Sequence, residues 1–253
     1  MNRERHGHFW TATGSIVGGL LIWEVISRFG VNNALFLASP SQIIYAVWRL
    51  AATGELWKHI YISGVEFIIG YVIASILGIA IGLLMAESER AKTILQPWIS
   101  GFYATPTIAL APLFLLWLGI GIWSKVLVVI TLVIFIVIIN TEVGLRQTSP
   151  RLIEMLKSFG ASRNQIFWKI SLPSAMPFVL AGLRLGIGRG LIGVVVAELF
   201  GSRAGLGQLI SASADSFNMP NLFAAVVILA GAGIAMTAGF SWLEKRLVPW
   251  RSD

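Results

Sequence analysis

The chain has 253 residues, of which 56% are hydrophobic and only 12% are charged. Soluble domains carry roughly a quarter charged residues, so this composition excludes a soluble protein and indicates an integral membrane protein. The net charge of +7 would suit a nucleic-acid partner, but we expect none, because the basic residues lie in the loops between apolar runs. The absence of cysteine excludes disulfides, thiolate zinc sites and thiol catalysis.

Six apolar runs approach the roughly 20 residues that a membrane-spanning helix needs. They cover about residues 9–26, 60–85, 97–118, 124–140, 175–200 and 222–243. The sequence therefore predicts an all-α integral membrane protein, a single domain over residues 1–253 with about six transmembrane helices. A cleaved leader is the alternative for the first run, but its length and the lack of a small-x-small cleavage site favour a span.

The third run is interrupted by Pro106 and Pro112, so we expect a kink or a locally unwound segment there. Irregular backbone at membrane depth survives only where protein or a water-filled cavity covers it. Pro106 is therefore a candidate for the wall of a translocation path, and a simple packing kink is the alternative.

The distribution of lysine and arginine predicts the orientation in the membrane. One set of loops carries twelve of these residues and the opposite set carries five. Because cytoplasmic loops are enriched in basic residues, we expect both termini and the 141–174 loop to be cytoplasmic. The opposite side includes an amphipathic segment that begins at Ser39-Pro40-Ser41 and ends near Gly54. It is expected either to lie on the membrane or the bundle, or to contact a partner that delivers solute.

The basic loop between the fourth and fifth runs has the most specific pattern. Ser149-Pro150 predicts the start of a short helix, and Gly160 suits its left-handed end. Ser162 and Gln165 have capping-box spacing, so they predict the start of a second short helix. We expect that helix to stop at Leu172-Pro173, where the chain enters the membrane. The predicted object is a compact pair of helices with a glycine corner.

This loop resembles the EAA loop of ABC importer permeases, which reads Glu-Ala-Ala, three residues, Gly, nine residues and Ile-x-Leu-Pro. The matching residues are Glu154, Gly160, Ile170, Leu172 and Pro173, and the chain departs from the pattern at Met155 and Leu156. The resemblance implies that these residues, with Ala161 and Ser162, contact an ATPase subunit through a coupling loop over residues 149–173.

Two further segments, Ser39-Pro40-Ser41 and the stretch from Val196 to Gly207, resemble the nitrate, sulfonate and taurine branch of these permeases. The resemblance covers roughly residues 20–247. It implies an inner-membrane permease for a small, anionic solute. The expected partners are two ATP-binding cassette subunits, an extracytoplasmic solute-binding protein and a second permease copy, as a homodimer or with a related chain. ATP and Mg²⁺ are expected on the ATPase subunits, and this chain is expected to hold no cofactor.

Two arginines lie inside the fifth run. If it enters the membrane near Pro177, Arg184 and Arg189 lie roughly 10 and 18 Å deep, at 1.5 Å per residue. Such residues face the bundle interior, water or a partner. They are candidates for a path that favours an anion. The alternative is a structural role, with the arginine bonded to carbonyl groups or to an acid such as Glu198, Glu66 or Glu142. Glu198 is also a path candidate, near the external end where it would reach water.

The sequence Gly188-x-Gly190-x-x-Gly193 matches a dinucleotide fingerprint, but no strand precedes it. Glycines at 182, 186 and 190, and at 78 and 82, instead predict close helix packing. No catalytic set and no metal site is evident, so we expect no enzyme activity in this chain. The rival interpretation is a self-sufficient channel or an ion-coupled transporter, but internal repeats and midplane ionisable relays are missing.

Overall fold

The computed structural model describes residues 2–30 and 37–248, and their regular structure is entirely helical. The helices are α1 (Asn2–Val25), α2 (Pro40–Ala52), α3 (Glu55–Glu87), α4 (Glu89–Ala104), α5 (Ala111–Leu118), α6 (Ile122–Arg146), α7 (Pro150–Ser158), α8 (Arg163–Ile166), α9 (Leu172–Gly201), α10 (Leu206–Asp215) and α11 (Met219–Leu247). Short π-helical turns cover Ile26–Gly30 and Phe167–Ser171, and a 3-10 turn covers Thr107–Leu110.

The centre of the bundle is formed by α3, α6 and α9. Their shared core is aliphatic, with Val129, Val133 and Val137 of α6 fully buried between Phe67 of α3 and Ile187 of α9. Since α6 contributes a β-branched residue at every fourth position here, it offers a smooth ridge to both neighbours. The two ends of the bundle are called the loop end, where α7 and α8 lie, and the α10 end.

Glycines let these three helices approach closely. A β-carbon on Gly70, Gly78 or Gly82 of α3 would lie 2.6–2.8 Å from an atom of α6. A β-carbon on Gly182 would lie 2.7 Å from Asn140 Cβ, and one on Gly190 would lie 2.8 Å from the Phe67 ring. The small-residue stripes predicted from the sequence are therefore confirmed as packing surfaces.

The described residues contain fewer candidate spans than the six predicted. Four helices are long and apolar enough to cross a membrane: Glu55–Glu87, Ile122–Arg146, Arg163–Gly201 and Met219–Arg246. A fifth span results if the bent pair Glu89–Ala104 and Thr107–Leu118 counts as one. Helix α1 is not among them, because its charged and small residues keep its apolar content low.

The break predicted in the third run is confirmed. The two halves of this region meet at an angle of 84°. Thr105 is extended, with φ −72° and ψ 135°, because the ring of Pro106 excludes a helical conformation at the preceding residue. The chain then resumes with a 3-10 turn before α5.

Helix α2 packs against the bundle at the α10 end. Ser39 and Gln42 form a complete capping box at its start, and Ile43, Ala46 and Leu50 are buried against α10 and α11. Gly54, with φ +80°, follows the helix as predicted. The opposite face of α2 leaves aromatic side chains exposed. Helix α2 is therefore the amphipathic helix that the sequence predicted.

Close packing at Gly78 leads to a mutational prediction. Gly78→Ala should lower the free energy of unfolding by about 1–3 kcal/mol, because the added methyl overpacks the contact with Val137. Gly64→Ala on the same helix is the control, since nothing lies within 4 Å of its β-carbon position. Thermal unfolding of the purified protein in detergent measures both. If the Gly78→Ala and Gly64→Ala variants had equal melting temperatures, the close packing at Gly78 would be contradicted.

Candidate functional site

The loop between α6 and α9 folds into the predicted pair of short helices. Helix α7 begins at Pro150 after Ser149, whose side chain makes no capping hydrogen bond. Helix α8 begins with a complete capping box. The Gln165 N–H donates to Ser162 Oγ at 3.3 Å, and the Ser162 N–H donates to Gln165 Oε1 at 2.9 Å. Both predicted helices are therefore confirmed, while only the second start has its predicted side-chain cap.

The corner between α7 and α8 is closed by two backbone hydrogen bonds. The Ala161 N–H donates to the Leu156 carbonyl at 3.0 Å, and the Gly160 N–H donates to the Lys157 carbonyl at 2.9 Å. This is the Schellman arrangement, which requires a left-handed residue at the corner. Gly160 supplies it with φ +83°, as the sequence predicted.

The prediction that the second helix stops at Leu172-Pro173 is wrong. The chain continues helically from α8 through the π-helical turn Phe167–Ser171 into α9. Ser171 itself is helical, with φ −65° and ψ −48°. Pro173 lies in the first turn of α9, and the wider π-helical turn before it leaves room for a ring that would clash in a regular helix. The loop is therefore mechanically continuous with α9.

Ionic contacts fix the loop to neighbouring helices. Arg163 Nη2 donates to the Glu87 carboxylate at 2.8 Å and to the Glu87 carbonyl at 3.1 Å. At the end of α6, the Glu142 carboxylate forms ion pairs with Arg146 Nε at 2.6 Å and with Lys92 Nζ at 2.8 Å. Arg146 Nη1 also lies 2.7 Å from Glu89 Oε1. This charged network, formed by Glu89, Lys92, Glu142 and Arg146, ties α4 to α6 just before the loop begins.

The surface of the loop combines a crevice with an exposed aromatic ring. The crevice holds about 390 Å³ and is lined by Leu156, Phe159, Gly160, Ala161, Gln165, Ile166, Lys169 and Ile170. The Phe159 side chain is 82% exposed and Met155 is 49% exposed. A partner helix or loop that covered this surface would bury apolar area now in contact with solvent.

The predicted coupling residues divide into four groups. Leu156, Gly160, Ala161 and Ile170 line the crevice, while Ser162 caps α8. Leu172 and Pro173 are half-buried at the start of α9. The exposed side chains Glu154 and Met155 lie outside the crevice, on α7.

The acid partner of Arg184 differs from those expected. Arg184 Nη2 forms an ion pair with Glu244 Oε2 of α11, so none of the three acids considered from the sequence is its partner. Arg184 and Glu244 lie 60 positions apart in the sequence. A local sequence pattern cannot predict a pairing over that distance. Arg184 thus connects α9 to α11 rather than standing free in the bundle.

Arg189 lies one and a half turns further along α9, and its side chain is exposed. Within residues 2–30 and 37–248, no carboxylate lies in ion-pair distance of it. Pro106 is also exposed, at the break between α4 and α5. Both residues thus face out of this chain.

Glu198 does not reach water as expected, because it is only 1% exposed. Its carboxylate accepts a hydrogen bond from Ser63 Oγ at 2.6 Å and another from the Gly207 N–H at 2.6 Å. Glu198 therefore fixes the first turn of α10 to α3 and α9. No group of three or more histidine, aspartate or glutamate residues in the described chain could hold a metal ion.

Sequence comparison relates the chain to transport permeases. The family described as binding-protein-dependent transport system inner membrane component matches residues 74–253. The chain is 34% identical over 232 residues to a formylaminopyrimidine transport permease protein of Halalkalibacterium halodurans, covering 92% of each. It is 35% identical over 235 residues to a putative aliphatic sulfonates transport permease protein of Bacillus subtilis, covering 92% of this chain and 85% of that one. A taurine transport system permease protein of Escherichia coli is 29% identical over 245 residues, covering 95% and 89%.

The fold is similar to that of a chain from an inward-facing methionine ABC transporter. The TM-score is 0.64 at 17% identity, over 78% of this chain and 96% of the other. A likeness at this identity establishes the arrangement of helices and nothing about the solute.

The corner glycine gives a test of the loop geometry. Gly160→Ala should destabilise the loop locally by about 1–2 kcal/mol, because a β-carbon is unfavourable in the left-handed conformation. Hydrogen exchange of amides in residues 150–171 should therefore become about fivefold faster or more. Gly101→Ala, at a helical glycine with free space around it, should leave exchange in the loop unchanged. Unchanged exchange in Gly160→Ala would contradict the strained corner.

Proposed function

The chain belongs to the family of binding-protein-dependent transport system inner membrane components, the permease subunits of ABC importers, and we propose that its α7–α8 loop is the coupling loop that receives force from an ATPase subunit. The observation that carries the proposal is the continuity of this loop with the core. It follows α6, which ends at Arg146, and its second helix α8 continues into α9 through an unbroken helical path. A push on α7 or α8 is thereby delivered to two of the three central helices.

The surface of the loop supports contact with a protein. Exposed apolar side chains beside a crevice, with Phe159 projecting from the corner, are the features of an anchor and its pocket at an interface. The charged network behind the loop and the Arg163–Glu87 pair hold its base. The loop is thus firm enough to transmit displacement rather than absorb it.

The assembly follows from the number of loops. One chain carries one such loop, so an importer with two ATPase subunits needs two permease copies, here a homodimer. ATP and Mg²⁺ bind to the ATPase subunits, and hydrolysis occurs there. A solute-binding protein docks at the opposite side of the membrane, at the α10 end. This orientation puts both termini and the loop in the cytoplasm.

The transport cycle is a two-state equilibrium biased from the cytoplasmic side. ATP binding closes the ATPase pair, moves the two coupling loops and shifts the permease from inward to outward access. Because α6 and α9 are locked together by close packing, we expect them to move as one body. The α4–α5 region, bent by 84° at Pro106, and the exposed face of α9 form the wall of the path.

The solute is a small organic anion, such as a sulfonate or taurine. Arg189 is exposed near the middle of α9 and has no carboxylate partner in the described chain, so its positive field is available to an anion at the interface between two copies. The relative named for formylaminopyrimidine transport favours a second candidate, a heterocyclic base. An uptake assay in cells expressing the complete importer distinguishes the organic anion from the heterocyclic base. The labelled solutes are taurine, an alkanesulfonate and a pyrimidine.

Phe159→Asp tests the coupling assignment. Placing a charge where an apolar anchor is buried should abolish co-purification of the ATPase subunit, while insertion into the membrane stays normal. Phe217→Asp is the matched control, since Phe217 is 61% exposed at the opposite end of the bundle. Normal ATPase recovery with Phe159→Asp would remove the coupling assignment.

Arg189→Gln tests the anion path. Loss of one charge-assisted hydrogen bond of about 1.5 kcal/mol should reduce uptake of the anionic solute roughly tenfold, without a change in melting temperature or basal ATPase rate. Arg184→Gln should instead lower the melting temperature, because it leaves Glu244 without its arginine. Uptake and thermal unfolding of the purified complex are measured together. Full uptake by Arg189→Gln would contradict a role in the path.

A further inference from the structure

A group of charged side chains lies inside the bundle near the α10 end, apart from the coupling loop and the proposed path. Glu66 of α3 is 3% exposed, Lys125 of α6 is 4% exposed and Glu198 of α9 is 1% exposed. With both acids ionised, this buried group would carry one uncompensated negative charge. Burial of an uncompensated charge is strongly unfavourable, and proteins remove it by pairing or by protonation.

Glu198 has the partners of an ionised carboxylate. It accepts short hydrogen bonds from Ser63 Oγ and from the Gly207 N–H, each at 2.6 Å. Ser63 in turn accepts the Leu206 N–H at 2.8 Å. Hydrogen bonds donated to a carboxylate favour its charged form. Both donors point at the Glu198 carboxyl group, which holds the first turn of α10.

Glu66 lacks such partners. Its Oε1 lies 3.9 Å from Lys125 Nζ, beyond hydrogen-bond distance, and Lys125 Nζ donates instead to the Gly121 carbonyl at 3.2 Å. Glu66 Oε2 is buried and has no hydrogen-bond partner among the described residues. Glu66 follows Ser63 by about one helical turn, so the two side chains share a face of α3. Because Ser63 on this face reaches the Glu198 carboxylate at 2.6 Å, the Glu66 side chain lies on the side of α3 that faces Glu198.

We infer that Glu66 and Glu198 form a proton-binding site, in which one proton is held between the two carboxyl groups and resides on Glu66. The protonated Glu66 then donates a hydrogen bond to the ionised Glu198. The proton satisfies the carboxyl group that has no other partner, and it makes the group of three charged side chains electrically neutral.

The other titratable groups nearby do not supply this compensation. His59 of α3 has its Nδ1 against the Gly205 backbone, 3.0 Å from the nitrogen and 2.8 Å from the oxygen, and it pairs with neither acid. Its Nε2 lies 3.8 Å from Glu55 Oε1. Helix α6 contributes only Lys125, and the first turn of α10 contributes backbone N–H groups rather than titratable side chains.

The bound proton stabilises the attachment of α10. Without the proton, two neighbouring carboxylates would repel each other and loosen α10 from α3.

Infrared spectroscopy of the purified full-length permease detects the proton directly. Wild-type protein at neutral pH should show the C=O stretching band of a buried protonated carboxylic acid, and Glu66→Gln should lack it. Asp215→Asn is the control and should keep the band, since Asp215 is exposed at the end of α10. Absence of the band in the wild type, or its persistence in Glu66→Gln, would overturn the inference.

Discussion

Close contact between α3, α6 and α9 is the constraint on which the rest of this structure depends. Inside a membrane, helices gain little from hydrophobic exclusion, so van der Waals contact between smooth surfaces must hold them together. Here glycines of α3 and α9 receive the β-branched ridge of α6 from both sides, with spacings too short for any added side chain at Gly70, Gly78 and Gly82. The loop between α6 and α9, which we propose as the coupling loop, joins two members of this three-helix unit. In this proposal, rigid packing and force transmission have the same physical origin.

Charge is distributed around that unit in a consistent way. At the loop end, the network around Glu142 and Arg146 fixes α4 and α6 where solvent and a partner can reach. Arg184 of α9 pairs with Glu244 of α11, and in the interior Glu198 accepts a hydrogen bond from the first turn of α10. Arg189 lies within a span, and its side chain is exposed. Among the described residues, no carboxylate lies within ion-pair distance of it. Since an unpaired charge in lipid is highly unfavourable, its exposure fits a surface that faces a second copy or an aqueous path.

Local features of this fold could be predicted from the sequence, whereas long-range pairings could not. The corner at Gly160, the capping box at Ser162 and the break at Pro106 follow from short-range backbone chemistry, and each was predicted correctly. The partner of Arg184 was not, because Glu244 is distant in the chain and the bundle geometry decides the pairing. The burial of Glu198 likewise depends on where α10 folds back. Pro173 failed to end a helix because a π-helical turn accommodates it, a feature for which the sequence has no clear signal. Four or five of the six predicted spans are found among the described residues, and α1 is not among them because it has many small and charged residues.

The central claim is that the loop between α6 and α9 is the surface that contacts the ATPase. The chain has no cysteine of its own, so a single introduced cysteine reports one position. Met155→Cys, on the exposed side of α7, should cross-link to the ATPase subunit in membranes of cells expressing the complete importer, with a yield that changes on ATP binding. Tyr45→Cys, at the opposite end, should give no such product. Failure of Met155→Cys to link to the ATPase, in an importer that still transports, would contradict the account.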